Sequence, residues 1–271
     1  ATGRAFYSNV FKRDNNFKPR TFGEIIMRTK NEAGFSNNKR SFTLIGDPAL
    51  RLALPEMNIV TDSINGYAPN IFVDTLKALS KVIVKGHVED FNGLILNEFN
   101  GVVSPTVFDK PKTQITLQND PGAPLVNFEL QSNKLYRGKA SIINGFFEFT
   151  FIVPKDINYS IDYGKISYYA DNGLIDAIGF EKSVYVGGID ENGINDDQGP
   201  QIDLFLNDES FVDGGITDET PVLIVNLFDE NGINAVGNGV GHDLVAILDG
   251  ESANPIILND YYSAALDDYQ S

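Results

Sequence analysis

The chain has no cysteine. That excludes disulfides, thiolate-bound zinc and a thiol nucleophile. Histidine is nearly absent too: His87 and His242 are too few for a His-rich metal site. No apolar run approaches the roughly 18 residues of a membrane-spanning helix. No stretch near Ala1 joins a basic start to an apolar core, as a secretory signal does. A further lack is positional. After Lys182 there is no Lys or Arg, against 18 Asp and Glu. Residues 1–55 carry ten basic and four acidic side chains, and residues 56–182 carry 11 and 15. The formal net charge of −16 is therefore a gradient, from +6 at one end to −18 at the other. Nucleic acid and anionic membrane repel so acidic a segment, so no nucleic-acid partner is expected. An extracellular or salt-tolerant surface is the favoured reading.

What is present divides in two. In 1–55, "GRAFYSNVF" sets Phe6, Val10 and Phe11 at helical spacing. "TFGEIIMRTKNEAG" offers Thr21 as N-cap with Glu24 three residues on, a capping-box spacing, and puts Phe22, Ile25, Ile26 and Thr29 on one face. "SFTLI" predicts a short strand ended by the Gly46-Asp47-Pro48 turn. Helix, helix, strand is the tail of an α/β unit, with too few strands to bury its helix faces.

From residue 56 on, Asn-Gly pairs recur at Asn65, Asn92, Asn100, Asn144, Asn172, Asn192, Asn231 and Asn238. Both residues tolerate the positive φ that tight hairpin turns require. Between them lie alternating runs rich in β-branched and aromatic residues: "SKVIVKGHVED", "GKASIINGFFEFTFIVP", "GKISYYADNG" and "KSVYVGG". The fold class expected is mostly β. A β-sandwich occupies 56–188, and a second, immunoglobulin-like and incomplete, occupies 196–271. The start at Ala1 in mid-pattern and the end in "LDDYQS" without a closing strand read as an internal piece. "DENGIN" occurs at 190–195 and 229–234 with unlike flanks, so one good turn sequence used twice is preferred to a repeat.

Each chemical candidate has a plainer reading beside it. Asp190, Asn192, Asn195, Asp196, Asp197, Asp229 and Asn231 supply hard oxygens suited to calcium, but the EF-hand order fails, with Gly193 misplaced. Solvated turns are preferred, and no cofactor or metal is assigned. His242 and Asp243 are neighbours, which along a strand point to opposite faces. His87 reads as an ordinary strand residue. Asp47, between Gly and Pro, is a typical turn-former. No catalytic constellation emerges.

"KRSFTLIGDPALRLALP" and the preceding "KPRTFGEIIMRTK" resemble the end of the catalytic domain in gingipain-type cysteine peptidases. The likeness is to the branch that acts as cell-surface sortase in the type IX secretion system of Bacteroidetes. It runs on colinearly through "MNIVTDSING", "FIVPKDINYSIDYGKISYYADNG", "FVDGGITDETPVLIVNLFDENGIN" and "PIILNDYY". The resemblance implies that 1–55 closes a caspase-like α/β domain and that β-sandwiches follow. It implies a parent that cleaves C-terminal sorting signals from secreted proteins and attaches those proteins to anionic lipopolysaccharide. It also implies a location at the outer-membrane surface, with the barrel protein PorV and other sortase-complex proteins as partners. The family's catalytic His and Cys precede this region, so none is carried over to any residue here, and the piece is expected to be non-catalytic. The alternative is a non-enzymatic adhesion or glycan-binding module, with Tyr168, Tyr169, Tyr261 and Tyr262 as the candidate sugar-stacking rings.

Overall fold

The computed structural model describes residues 2–34, 37–71, 74–119, 121–193, 198–235 and 243–271. Three helices come first: α1 (Thr2–Val10), α2 (Phe22–Glu32) and α3 (Asn37–Ser41). The strands that follow are β1 (Met57–Ile64), β2 (Leu76–Ala78), β3 (Lys81–Glu89), β4 (Gly101–Phe108), β5 (Lys112–Ile115) and β6 (Asn127–Leu130). Next come β7 (Lys134–Arg137), β8 (Ala140–Ile143), β9 (Phe146–Ile152), β10 (Asp162–Tyr163), β11 (Lys165–Asp171), β12 (Asp176–Glu181) and β13 (Tyr185–Ile189). Last are β14 (Gln201–Leu206), β15 (Leu223–Phe228), β16 (Val245–Ala246) and β17 (Ile256–Ile257). The mostly-β expectation holds.

The main sheet runs β11-β12-β1-β3-β9-β8-β4-β7, and β11 also pairs with β4. Hydrogen bonds therefore run right round, and the sheet is barrel-like. The two separate sheets expected for 56–188 are corrected on this point. The cause is β4, bonded to β11 along one edge and to β8 and then β7 along the other. A parallel contact of β1 with β12 completes the ring. A three-stranded sheet, β10-β13-β2, flanks it.

Period-two alternation fills the interior. Val82, Val84 and Val88 of β3, Val103 and Val107 of β4, Phe147, Phe149 and Phe151 of β9, and Ile166 and Ala170 of β11 are all buried. Each such Val, Ile or Phe contributes roughly 1.5–3 kcal/mol over leaving it exposed. Tyr136 stacks on Phe149 and Phe151, with centroids 5.8 and 5.1 Å away. The β8–β9 hairpin turns on Asn144 and Gly145, with φ of 53° and 84°, as the sequence requires.

One further expectation is overturned. "SFTLI" is not a strand: Ser41 ends α3, Phe42–Ile45 has no ladder, and Ile45 is 95% exposed. A lone strand cannot form without a neighbour, and no described strand lies beside it. An incomplete second sandwich is expected at 196–271. Its described residues form the strand pairs β14–β15 and β16–β17, and Ala264 is their one buried hydrophobic. Ile202, Leu204, Leu223 and Phe228 stay exposed, because two paired strands have no second layer to face. The last residues instead return to the barrel, where Leu266 bridges Lys139 in parallel.

Candidate functional site

The seam between the helical part and the barrel is the most elaborately built polar region. α2 opens with the capping box expected: Thr21 Oγ1 accepts from Glu24 N, and Glu24 Oε2 accepts from Thr21 N. Two further donors of its first turn find partners in the Gly46-Asp47-Pro48 turn and its exit. Phe22 N donates to Leu50 O and Gly23 N to Pro48 O, both at 2.9 Å. Asp47 Oδ1 accepts from Ala49 N at 2.8 Å, which shapes the turn. The turn thus covers the start of α2, and Asp47 serves as a turn-former, not as a catalytic group.

Buried Asn9 ties the two long helices. Its Nδ2 donates to Ala5 O (2.9 Å) and Glu32 Oε2 (2.7 Å), and its Oδ1 accepts from Arg20 (2.8 Å). Arg51 bonds Asp14 at 2.9 Å and also donates to Pro19 O. Burial is the largest single influence on the Asp14 carboxyl and raises it, but the N–H groups of Asn16 and Lys18 and the Arg51 pairing together outweigh it and hold the carboxyl below its ordinary range. Arg13 reaches across the seam: it donates to Pro55 O, and its guanidinium lies 4.6 Å from the centre of the Phe91 ring. Phe17 stacks on the same ring at 5.3 Å, the planes 8° apart. Phe91 belongs to the Asp90–Gly93 turn after β3, so the stack joins the helical part to the barrel. Several large apolar side chains of the helical part are exposed, among them Phe11, Met27, Phe42 and Ile45.

The calcium candidates fall in turns of one design. In Asp90–Gly93, Asp190–Gly193 and Asp229–Gly232 the Asp Oδ1 accepts from the N–H two residues on, and the Gly N–H bonds the Asp carbonyl. One oxygen of Asp190 and one of Asp229 are thus engaged in shaping their own turns. Asn195, Asp196, Asp197 and His242 lie outside the described residues. Among the described residues no cluster of three or more acidic or imidazole groups is placed to hold a metal. His87 is more than an ordinary strand residue. Its Nδ1 lies 2.8 Å from Asp62 Oδ1, and its Nε2 lies 3.5 Å from Glu89 Oε2.

The four tyrosines do not form one platform. Tyr168 is buried and bonds Thr61 Oγ1 at 2.7 Å; burial pushes its phenol well up. Tyr169 and Tyr261 are exposed, and Tyr262 is half-buried, its phenol pushed up to about 12 by burial and then by the charge of Asp268. The aromatic pair in close contact at the surface is one the sequence did not single out. Tyr163 and Tyr185 sit opposite each other on β10 and β13, their hydroxyls 2.6 Å apart.

Also unforeseen is the buried pair Asp109 and Lys110. Lys110 Nζ bonds Asp109 Oδ1 (2.9 Å), Asn158 O (2.8 Å) and Val186 O (3.3 Å). Gln131 bonds Asp109 O at 2.8 Å. The pair roots the β5–β6 ribbon, whose eight strand residues are all exposed. Two adjacent charged residues carry no hydrophobic-period signal, so no local pattern marks them as buried.

The model of peptidase family C25 matches residues 1–53. Among solved structures, the chain is similar to dimeric latent PorU from Porphyromonas gingivalis. The match has 34% identity over 93% of this chain and a TM-score of 0.53, and the chain spans 24% of that PorU chain. The sporulation control protein Spo0M from Bacillus subtilis aligns over 51% of each chain at 14% identity and a TM-score of 0.29, too little to bear on fold or function. No curated protein matches.

Proposed function

We propose that this PorU-related chain is the non-catalytic joint of a type IX secretion sortase. On this reading residues 1–55 are the closing rim of its cysteine-peptidase domain, and residues 56–271 hold that domain at the cell surface. The observation that carries the reading is the coincidence of two boundaries. The family C25 match ends at residue 53, and β1, the first barrel strand, begins at Met57. The exposed apolar side chains Phe11, Met27, Phe42 and Ile45 lie before that boundary, on the helical part. They are what an α/β domain covers with its own sheet.

With no cysteine, this chain supplies no thiol nucleophile. Its part in cleaving sorting signals, and in attaching proteins to anionic lipopolysaccharide, is to position the peptidase. The charge gradient suits the task. The acidic end is repelled by anionic lipopolysaccharide, which orients the molecule but does not anchor it, since such repulsion fades beyond about 8 Å at physiological salt. Anchoring falls to contacts of the β part with an outer-membrane barrel partner, PorV in this family. A pull-down from outer membranes tests the role. The parent carrying 1–271 is expected to retain PorV, and the parent cut after Pro55 to lose it. Equal recovery by both would remove the docking role.

A further inference from the structure

Among the described residues, a short edge of the barrel lies open beside β8. β8 pairs with β9 at Ile142↔Phe147 and Ile143↔Phe146. The chain just before it, Arg137–Ser141, has its partner β4 on the other side. An unpaired edge next to a buried core is a ready template for another strand. Here the chain's own acidic end fills it. Ala264 N donates to Arg137 O at 2.8 Å and Asp267 N to Lys139 O at 3.0 Å. Between them Leu266 bridges Lys139 in parallel register. Side chains add selectivity. Asp267 takes two bonds from one residue, from Ser141 N to Oδ1 and from Ser141 Oγ to Oδ2, both at 2.6 Å. Lys134 Nζ bonds Asp260 Oδ1 at 2.7 Å, and Arg137 bonds Asp260 O at 2.9 Å. Ala264 is buried against Gly138, where an added Cβ would stand 3.2 Å from the Ala264 Cβ and run into the Tyr136 hydroxyl. Backbone ladder bonds, a carboxylate receptor and a pocket for one small side chain are the components of strand-addition recognition.

We propose that Arg137–Ser141 is a docking edge for a short strand that ends in a left-handed turn residue bearing a carboxylate, and that residues 264–267 occupy it in cis as a displaceable strap. Two features make the strap displaceable: Asp267 is exposed, and so is the Lys134–Asp260 ion pair that precedes the strap. The ligand class is an acidic peptide whose Asp follows, by three residues, an Ala that fits over Gly138.

The test uses the whole chain and a labelled synthetic peptide of residues 258–271. Asp267→Gly weakens the strap; Gly is chosen because Asp267 has a φ of +59°, which Ala would strain. The variant is expected to bind the peptide saturably. The unsubstituted chain should bind it at least about tenfold more weakly, because the tethered strap competes at an effective concentration on the order of millimolar. A peptide with Gly at the Asp267 position should not bind. Three results each overturn the proposal: no binding by a variant whose barrel is folded, equal binding by both chains, or equal binding of the Gly peptide. If the variant does not fold, amide exchange in the unsubstituted chain decides. Ser141, Ala264 and Asp267 are expected to open together while the amide of Phe149 stays protected; their opening only with Phe149 would contradict a displaceable strap.

Discussion

The Phe17 ring lies parallel to that of Phe91, 5.3 Å between centroids, with Arg13 held 4.6 Å from the centre of the same Phe91 ring. Phe17 comes from the helical part and Phe91 from a barrel turn, so this stack joins the two chemically different halves of the chain. Phe17 sits at a φ of 60°, an uncommon conformation for an aromatic residue, which the stack and the Phe17 N–H bond to Asp14 O help to hold. Phe91→Ala removes both contacts. It is expected to cost about 1–2 kcal/mol at the seam and to speed proteolytic cleavage near residues 52–56. The barrel should keep its own unfolding midpoint.

Thr21→Ala removes the capping-box acceptor of α2, whose Oγ1 lies 3.3 Å from Glu24 N. The expected loss is about 1 kcal/mol, measured by urea unfolding followed by helix signal. Ser at this position should restore most of it.

Lys110→Met leaves Asp109 buried beside an apolar side chain. Breaking a buried pair from one side costs about 3–5 kcal/mol, so this should be the most destabilising single change among those considered. Chemical denaturation of the whole chain measures it.

The segment that leads into the strap has a pH signature at each extreme. The hydrogen bond from Lys134, and then its charge, hold the Asp260 carboxyl below its ordinary 3.8. A depressed carboxylate pKa stabilises the fold above the unfolded value and loses that contribution as pH falls through the folded one. The Asp260 contact should therefore survive to about pH 4 and fail below it. Tyr262 runs the other way. Its phenol is pushed up from 10.0 to about 12 by burial and the Asp268 charge. Its contribution is complete below pH 10 and is lost as pH rises through about 12. Tyr262→Phe should remove this residue's share of the alkaline loss, read as a smaller fall in folded signal between pH 10 and about 12.

Millimolar calcium is expected to leave the melting midpoint unchanged relative to chelator. Asp190 and Asp229 each use an oxygen within their own turn. A rise of several degrees would assign a calcium role to the acidic loops after all.

Much of this was legible in the residues. Thr21 and Glu24 announce α2, Asn144 and Gly145 announce a hairpin, and the alternation in Lys81–Glu89 names the inward valines. What failed were judgements that need partners. "SFTLI" has strand composition, but a strand exists only beside another, and none is described there. Closure of the sheet depends on β4 being bonded along both edges, which no local pattern encodes. The strap brings Asp267 to Ser141 across 126 residues, and the Asp109–Lys110 pair satisfies itself through backbone carbonyls of distant segments. Such contacts are set by tertiary geometry and leave no period in the sequence.

On the proposed reading residues 1–55 are the rim of a larger peptidase domain, and Ile45, 95% exposed, is its sharpest probe. The chain has no cysteine, so Ile45→Cys gives a single thiol whose alkylation rate can be followed by mass spectrometry of its peptide. The rate should be close to that of a free thiol in the 1–271 chain and at least about tenfold slower in the intact parent, where the upstream sheet covers this face. Equal rates in the two proteins would contradict the account.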